Sequence, residues 1–383
     1  MLEVPKVWMR DTRFVEQVRA VAAVAATRAG ELDQDGTFPS GDIQSLAAIG
    51  ALTAPLPPGH GGFGLGTTPD GALPLLETLR WIGHGSLPLG RLYEGHVNAL
   101  ALIVRFGTAA QIVAAARDAH DDVLFGVWNT EGRDGLTLQR LGSQWQLQGR
   151  KTFSSGAGFV GRPLVTARLE TGQLMMVLPR VGREDGENRA DLSEWRAHGM
   201  RASATGSYDF SGLTVTADEI IGNDGEYQRE PGFSAGAWRF AAVQLGGIER
   251  LLDEGRFHLC RTGRANDPHQ LVRTGQAAAA AETAKLWVTR AAHLAEYADD
   301  RGDPDRITAY VNLARSAVER AGLDVLELVH RSVGLAGFMR PHPIERVSRD
   351  LATYLRQPAP DRALTAAAAY VLDRDTSAAD LWS

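Results

Sequence analysis

The sequence predicts a mixed fold in which helix and strand are segregated along the chain: a helical block, a strand-rich block, then a second helical block. Three observations predict it. Apolar residues within 12–116 recur every three or four positions, the spacing that gives a helix one buried face. Between 122 and 222 the chain turns to short β-branched and aromatic runs set apart by Gly, Arg and Asp. From 238 onward, long Ala-rich helical patterns return.

In the first block, Phe14, Val18, Val21, Val24 and Ala25 mark one face of an amphipathic helix. A second helix, over 43–52, is stopped by Gly50 and by Pro55, Pro57 and Pro58. The Gly- and Pro-rich stretch 54–64 reads as a stiff, compact loop. Helices follow over 73–83 and 89–106, and the latter is apolar enough to be largely buried. Glu94, His96 and Asn98 lie inside it. A buried polar group is costly without a partner, so these three are expected to face a cavity or one another, with a satisfied core histidine as the equal alternative for His96.

The second block offers strands at 123–128, 145–148, 164–167, 174–178, 208–210 and 213–216. In the third, a long helix begins near Phe240. Gly246 and Gly247 inside it cost up to ~1 kcal/mol each relative to alanine, so close helix packing is expected there. Helical patterns continue over 270–297, 307–330 and 364–372, with the polar segment 299–305 as an inter-helix loop.

Composition excludes several classes. The 383 residues are 44% apolar, with net charge −6 and a pI near 6.0. No basic run marks a nucleic-acid surface. Cys260 is the one cysteine, which leaves no disulfide framework and no Cys-based metal site. No apolar run approaches the ~20 residues that span a bilayer, and the N-terminus has no apolar signal core. The expectation is a soluble, cytoplasmic protein without nucleic-acid or membrane partners. His-x-x-Glu-His, Gly-x-Ser-x-Gly and a strand-borne Gly-x-Gly-x-x-Gly are absent, so metal, serine-nucleophile and Rossmann classes lack support.

Four stretches carry chemistry. The turn from Gly334 through Gly337 to Phe338 has little side chain to keep a ligand from its backbone amides. A charged helix with Glu345, Arg346, Arg349 and Asp350 follows it, then Pro358 and Pro360, which are expected to force an extended loop ending at Asp361. Phe153 and Ser155, in Lys-Thr-Phe-Ser-Ser-Gly, combine an aromatic face with a hydroxyl, which suits a flat heteroaromatic ring. Trp128 and Asn129 close the first strand. Arg261 and Arg264 offer planar, charge-assisted donors suited to a diphosphate.

These stretches, taken together, resemble the acyl-CoA dehydrogenase superfamily over nearly the whole chain. That family has a Gly-Gly-x-Gly-Phe/Tyr turn, a Pro-x-Glu-Arg helix start, an Arg-Asp pair and a Lys-x-Trp-Ile-Thr-Asn-Gly segment. The counterparts here are Gly334 to Phe338, Pro343 to Arg346, Arg349–Asp350 and Lys151 to Gly156. The resemblance implies an α+β fold with a helical N-terminal domain (1–118), a middle β-barrel or sandwich domain (119–227) and a C-terminal four-helix bundle domain (228–383). It implies a flavin, FAD or alternatively FMN, held by Trp128, Phe153, Ser155, Gly334 and Gly337. Arg261 or Arg264 would reach it from a neighbouring subunit, so a homo-oligomer, tetramer or dimer, is implied too. The partners implied are a small-molecule substrate, acyl-CoA among the candidates, and a flavin reductase or electron-transfer flavoprotein.

One departure governs the functional expectation. The family's proton-abstracting glutamate falls at Pro358. The site that some members use instead falls near Gly236, and Glu249 lies too far along its helix. Either Asp361 is a displaced base, or His96, Asn129 and Ser155 serve a pocket that needs none, as in the family's monooxygenase branch. A non-catalytic scaffold is the third reading. The expectation is a flavin-dependent oxidoreductase that is not a standard β-oxidation dehydrogenase.

Overall fold

The computed structural model describes residues 6–182, 189–296 and 303–382. Tyr297 and residues 299–302 of the expected polar loop lie outside them.

The chain begins with five helices: α1 (Lys6–Asp35), α2 (Ser40–Ala48), α3 (Ala72–Gly85), α4 (Leu87–Phe106) and α5 (Ala109–His120). The α1 periodicity buries Phe14, Val18, Ala22 and Ala25 on one side. Ser86 caps α4, its hydroxyl accepting the Leu89 N–H, with Pro88 in the first turn, where a missing N–H costs nothing. Thr108 and Gln111 form a reciprocal capping box at the start of α5.

Nine strands follow among the described residues: β1 (Phe125–Trp128), β2 (Glu131–Leu141), β3 (Gln144–Ser154), β4 (Arg162–Arg168), β5 (Leu174–Val177), β6 (Ala190–Asp191), β7 (Gly206–Asp209), β8 (Thr214–Val215) and β9 (Ile220–Ile221). They join one mixed sheet with the order β6-β7-β3-β2-β4-β5-β9. β1 runs parallel to β4, and β8 pairs antiparallel with β3. The strands expected as a barrel or sandwich are thus hydrogen-bonded into a single sheet.

The last block holds α6 (Gly232–Ala235), α7 (Ala237–Arg261), α8 (Pro268–Glu296), α9 (Pro304–Val333), a 3-10 turn (Gly334–Phe338), α10 (Pro343–Tyr354) and α11 (Pro360–Leu372). No helix among the described residues is long and apolar enough to cross a membrane. The close packing expected at Gly246 is present: a Cβ there would lie 2.0 Å from the Arg80 carbonyl oxygen, on α3. Across the same crossing, a Cβ on Gly83 would lie 2.3 Å from the Val243 oxygen. One apolar cluster runs from Leu79 and Ile82 of α3 through Trp238 and Leu245 of α7 to Trp128 and Val165 of the sheet.

α10 ties the three blocks together. Arg349 pairs with Glu345 one turn earlier at 2.7 Å and with Asp33 of α1 at 2.6 Å. Asp350, buried, accepts the Met200 N–H at 2.6 Å and pairs with Arg346 at 3.1 Å. The Arg-Asp motif is therefore a structural tie. Pro360 departs from expectation. It opens α11, because proline's preset φ and missing N–H suit the first helical position, so the loop ends before it.

Candidate active site

The site starts from the face geometry of α4. Residues 91, 94 and 98 are spaced by three and four, so they share one side of the helix, whereas residue 96 points nearly opposite. On the shared side, Arg91 forms an ion pair with Glu94 through Nη1, and its Nε donates to Ser155 Oγ at 3.3 Å. Asn98 donates to the other Glu94 oxygen and accepts from Arg239 Nη1 at 3.3 Å. Arg239 pairs in turn with Glu296, which also takes the Trp238 indole N–H at 3.2 Å. A continuous polar chain thus links the loop after β3 to α4, α7 and the end of α8. Burial opposes the charge on Arg91, but Glu94 outweighs it and raises the guanidinium pKa.

Tyr354, at the end of α10, adjoins this chain. Its hydroxyl is buried and makes no hydrogen bond of ordinary geometry, with Glu94 and the Arg91 guanidinium as its close polar neighbours. Burial pushes the phenol pKa well above its ordinary value. Tyr227 faces the same pair and is pushed up to about 12, also by burial.

His96 is used up by the fold. Its Nδ1 accepts the Phe125 N–H at 3.1 Å, which leaves the proton on Nε2 to donate to the Leu52 carbonyl at 2.8 Å. Burial lowers its pKa to about 4, so the ring is neutral. The expectation that it faces a cavity does not hold: it pins α4 to β1 and to the loop after α2.

A narrow recess of about 10 Å³, room for a single water, opens between α4 and β1, walled by Arg91, Leu92, Trp128, Ser155 and Val160. Gly95 of α4 faces Gly126 of β1 across the recess, where a Cβ on Gly95 would make an ordinary contact at 3.8 Å with the Gly126 Cα. Trp128 is buried, and its indole N–H donates to the Ser155 carbonyl at 2.9 Å, fixing that loop. The Ser155 hydroxyl lies 3.3 Å from both Arg91 Nε and Thr205 Oγ1. In both bonds the Ser155 oxygen accepts, so its own hydrogen remains to donate to a ligand acceptor.

Two residues before it, Phe153 is 64% exposed and held at φ +52, with its ring edge-on to Trp195 at 6.4 Å. A bulky residue in the left-handed region is strained, and such strain concentrates at functional sites. Ser154 is fully buried, and its Oγ has no partner. Asn129 stands at the end of β1, beside the recess wall. Its side-chain oxygen accepts from Thr166 at 2.5 Å, and its carbonyl accepts from the buried Lys151 at 3.3 Å. Lys151 pairs with Glu131 at 2.7 Å, and burial lowers its pKa against that pairing.

The remaining expected residues gather elsewhere. Arg264 donates to the Ser332 carbonyl at 3.1 Å, just before the glycine turn, and Arg261 is exposed at the end of α7. Gly334, at φ +74, ends α9 with its N–H on the His330 carbonyl. Gly337 is buried, and Phe338 lies tilted over His330 at 4.4 Å. No described hydrogen bond or ring contact joins this group to Phe153 and Ser155. Asp361 does not approach the recess group either. It is exposed in the first turn of α11, where a carboxylate complements the helix N-terminus. Pro358 offers only its carbonyl, taken by Arg315 at 2.8 Å.

Sequence reasoning placed Glu94 and Asn98 in a shared environment but missed Arg91, Arg239, Glu296 and Tyr354. Arg91 was findable, being one turn before Glu94. Tyr354 carried no signal, because its role depends on where α10 docks.

Comparison with known proteins adds the family. Residues 10–114 match the acyl-CoA dehydrogenase N-terminal domain, and residues 223–355 match the acyl-CoA dehydrogenase C-terminal domain. A putative acyl-CoA dehydrogenase of Bacillus subtilis, YdbM, is 26% identical, across 93% of this chain and 95% of its own. L-evernosamine nitrososynthase from a Micromonospora species is 27% identical, across 88% of this chain and 84% of its own. Among solved structures, FMN-bound TdsC from Paenibacillus sp. A11-2 superposes with a TM-score of 0.84 at 19% identity, covering 97% of this chain and all of that one. TdsC is a dibenzothiophene monooxygenase and has also been solved with FMN and indole.

Proposed function

This chain belongs to the acyl-CoA dehydrogenase family, and from that premise we propose that it is a flavin-dependent monooxygenase acting on a small organic substrate. One observation carries the reading. Where a dehydrogenase of this family needs a carboxylate to take the substrate's α-proton, Pro358 and Gly236 stand, and Asp361 is turned to solvent on α11. Without that base a substrate cannot reduce flavin by paired proton and hydride loss. The reducing equivalents must then come from elsewhere, which implies a flavin reductase as partner. The likeness to a nitrososynthase and to a monooxygenase supports the same branch.

The residues present fit a flavin, FAD or FMN. The exposed face of Phe153 offers the flat apolar contact that an isoalloxazine ring needs, and Ser154 Oγ is a buried polar atom without a partner beside it. Ser155, positioned by Arg91 and by the Trp128 indole, would supply a hydroxyl donor to the bound flavin. The bound, reduced flavin supplies the electrons for oxygen activation. Leu92 and Val160 keep water from that chemistry. His96 and Asn129 act at one remove: His96 sets α4 against β1, and Asn129 ties the strand end to Lys151.

Arg264 and the glycine turn are proposed to meet the cofactor phosphate of a second subunit, because they stand apart from the Phe153 shelf. Leu335 is 77% and Phe338 56% exposed there, which fits a face covered in a homo-oligomer.

The test pairs two assays. Supplied with FMN, a flavin reductase and NADH, the protein is expected to give an oxygenated product from a panel of dibenzothiophene, indole and an amino sugar. Octanoyl-CoA is expected to leave its bound flavin oxidised under anaerobic conditions. Anaerobic bleaching by octanoyl-CoA would overturn the monooxygenase reading.

A further inference from the structure

We infer that Tyr354 is a substrate-contact residue, its hydroxyl forming with the Arg91–Glu94 pair a hydrogen-bonding subsite for a small neutral molecule that presents an N–H or O–H group. The inference rests on the monooxygenase reading and adds what that reading leaves open, the polarity of the substrate.

The Tyr354 hydroxyl is a buried polar atom beside the Arg91–Glu94 pair that lacks a hydrogen bond of ordinary geometry. The residue is 5% exposed, and its Oη makes no hydrogen bond of ordinary geometry: the Arg91 guanidinium is its near neighbour but is drawn to Glu94 and Ser155. Its carbonyl accepts from Gln244 and Gln357, each at 2.8 Å, so the end of α10 is held and the ring cannot drift toward a partner. Arg91 is committed to Ser155 and Glu94, and Glu94 to Arg91 and Asn98. Buried polar groups in native proteins are nearly always satisfied, and an exception calls for a missing partner. Arg91 also walls the recess. It bridges Ser155, at the cofactor shelf, to Glu94 and Tyr354 on the C-terminal side.

The wall also sets the charge of the occupant. Arg91 with Glu94 and Arg239 with Glu296 cancel in pairs. An ionic ligand would have to break one of those buried pairs, which is strongly unfavourable. A hydrocarbon chain would leave the Tyr354 hydroxyl unmet. A neutral N–H or O–H does neither: it donates to Oη, and the phenol, kept protonated by burial, adds no charge of its own to the subsite.

Indole and indene make a matched probe pair, nearly equal in size and shape, of which only indole has an N–H. Their affinities would be measured by isothermal titration calorimetry on the FMN-loaded protein and again on flavin-free protein. The wild type is expected to bind indole about tenfold more tightly than indene, the worth of one neutral hydrogen bond in a buried site. Tyr354→Phe should equalise the two by weakening indole alone, with FMN affinity and melting temperature unchanged. Equal affinities in the wild type, or a preference that survives in Tyr354→Phe, would overturn the inference. The wild-type comparison needs no variant, so misfolding of Tyr354→Phe cannot shelter it. Failure to bind any flavin would sink the monooxygenase reading, while the flavin-free titrations would still decide the role of Tyr354.

Discussion

His96 shows how a residue can be placed correctly by sequence while its partners stay out of view. Its burial was legible from the apolar run around it, and so was its need for partners. What periodicity could not supply was the backbone of other elements, the Phe125 N–H and the Leu52 carbonyl, which satisfy both ring nitrogens. The pairing has a pH signature. The folded pKa, about 4, lies below the ordinary 6.5, so the folded state binds this proton less readily than the unfolded chain does. The contribution is therefore fully present above pH 6.5 and is lost as pH falls through the window toward 4. Its full size is on the order of 3 kcal/mol. Urea titrations at pH 7 and pH 5 should show it in the wild type. His96→Leu should be less stable at pH 7 by about 2–4 kcal/mol, because two buried backbone groups lose their partners, yet lose less on acidification. A variant that keeps the full acid sensitivity would show that another group carries it.

Elements with strong period or strong punctuation were legible, and those lacking both were not. The α7 glycines signalled a close crossing, and α7 does meet α3 backbone to backbone. β2 escaped notice because Glu131 to Gly135 alternates charge with glycine, and its pairing with β3 shifts register between Glu131 and Leu136. β6 and β9, two residues each, are made by their neighbours in the sheet. Pro360 was read as a breaker when it is a helix start, because proline signals both and only the following residues decide. Two alanine substitutions separate packing from propensity. Gly246→Ala places a Cβ 2.0 Å from a carbonyl oxygen, so it should cost ~3 kcal/mol or more by forcing α3 and α7 apart. Gly275→Ala, inside α8 with nothing within 4 Å of its Cβ, should be neutral or stabilise by up to ~1 kcal/mol. Equal melting temperatures for the two variants would mean that the α3–α7 crossing yields more easily than its geometry states.

At the scale of the whole molecule, the two groups of residues proposed to hold the flavin stand apart in the chain. Phe153 and Ser155 stand at the end of β3, the Phe153 ring exposed, while Ser154 between them turns its unpartnered hydroxyl into the interior. Arg264 and the Gly334 turn, beside exposed Leu335 and Phe338, lie in a separate group on the C-terminal helices. Both halves were legible as motifs, because glycine turns and aromatic–hydroxyl runs are local. Their separation was not, because it is set by how three blocks dock through α10. If a second copy completes the site, flavin binding and assembly are one equilibrium, and each must strengthen the other. Flavin affinity, read from the quenching of FMN fluorescence, should then fall as the protein is diluted below its dissociation point. Leu335→Asp puts a charge on the face that would be buried, so it should shift the protein to monomers by light scattering and weaken FMN binding about tenfold or more, although residue 335 touches no part of the Phe153 shelf. Phe153→Ala should do the opposite, weakening FMN binding while the oligomer persists. A monomer that binds FMN at full strength would place the whole site within one chain, and Arg264 would then have no part in it.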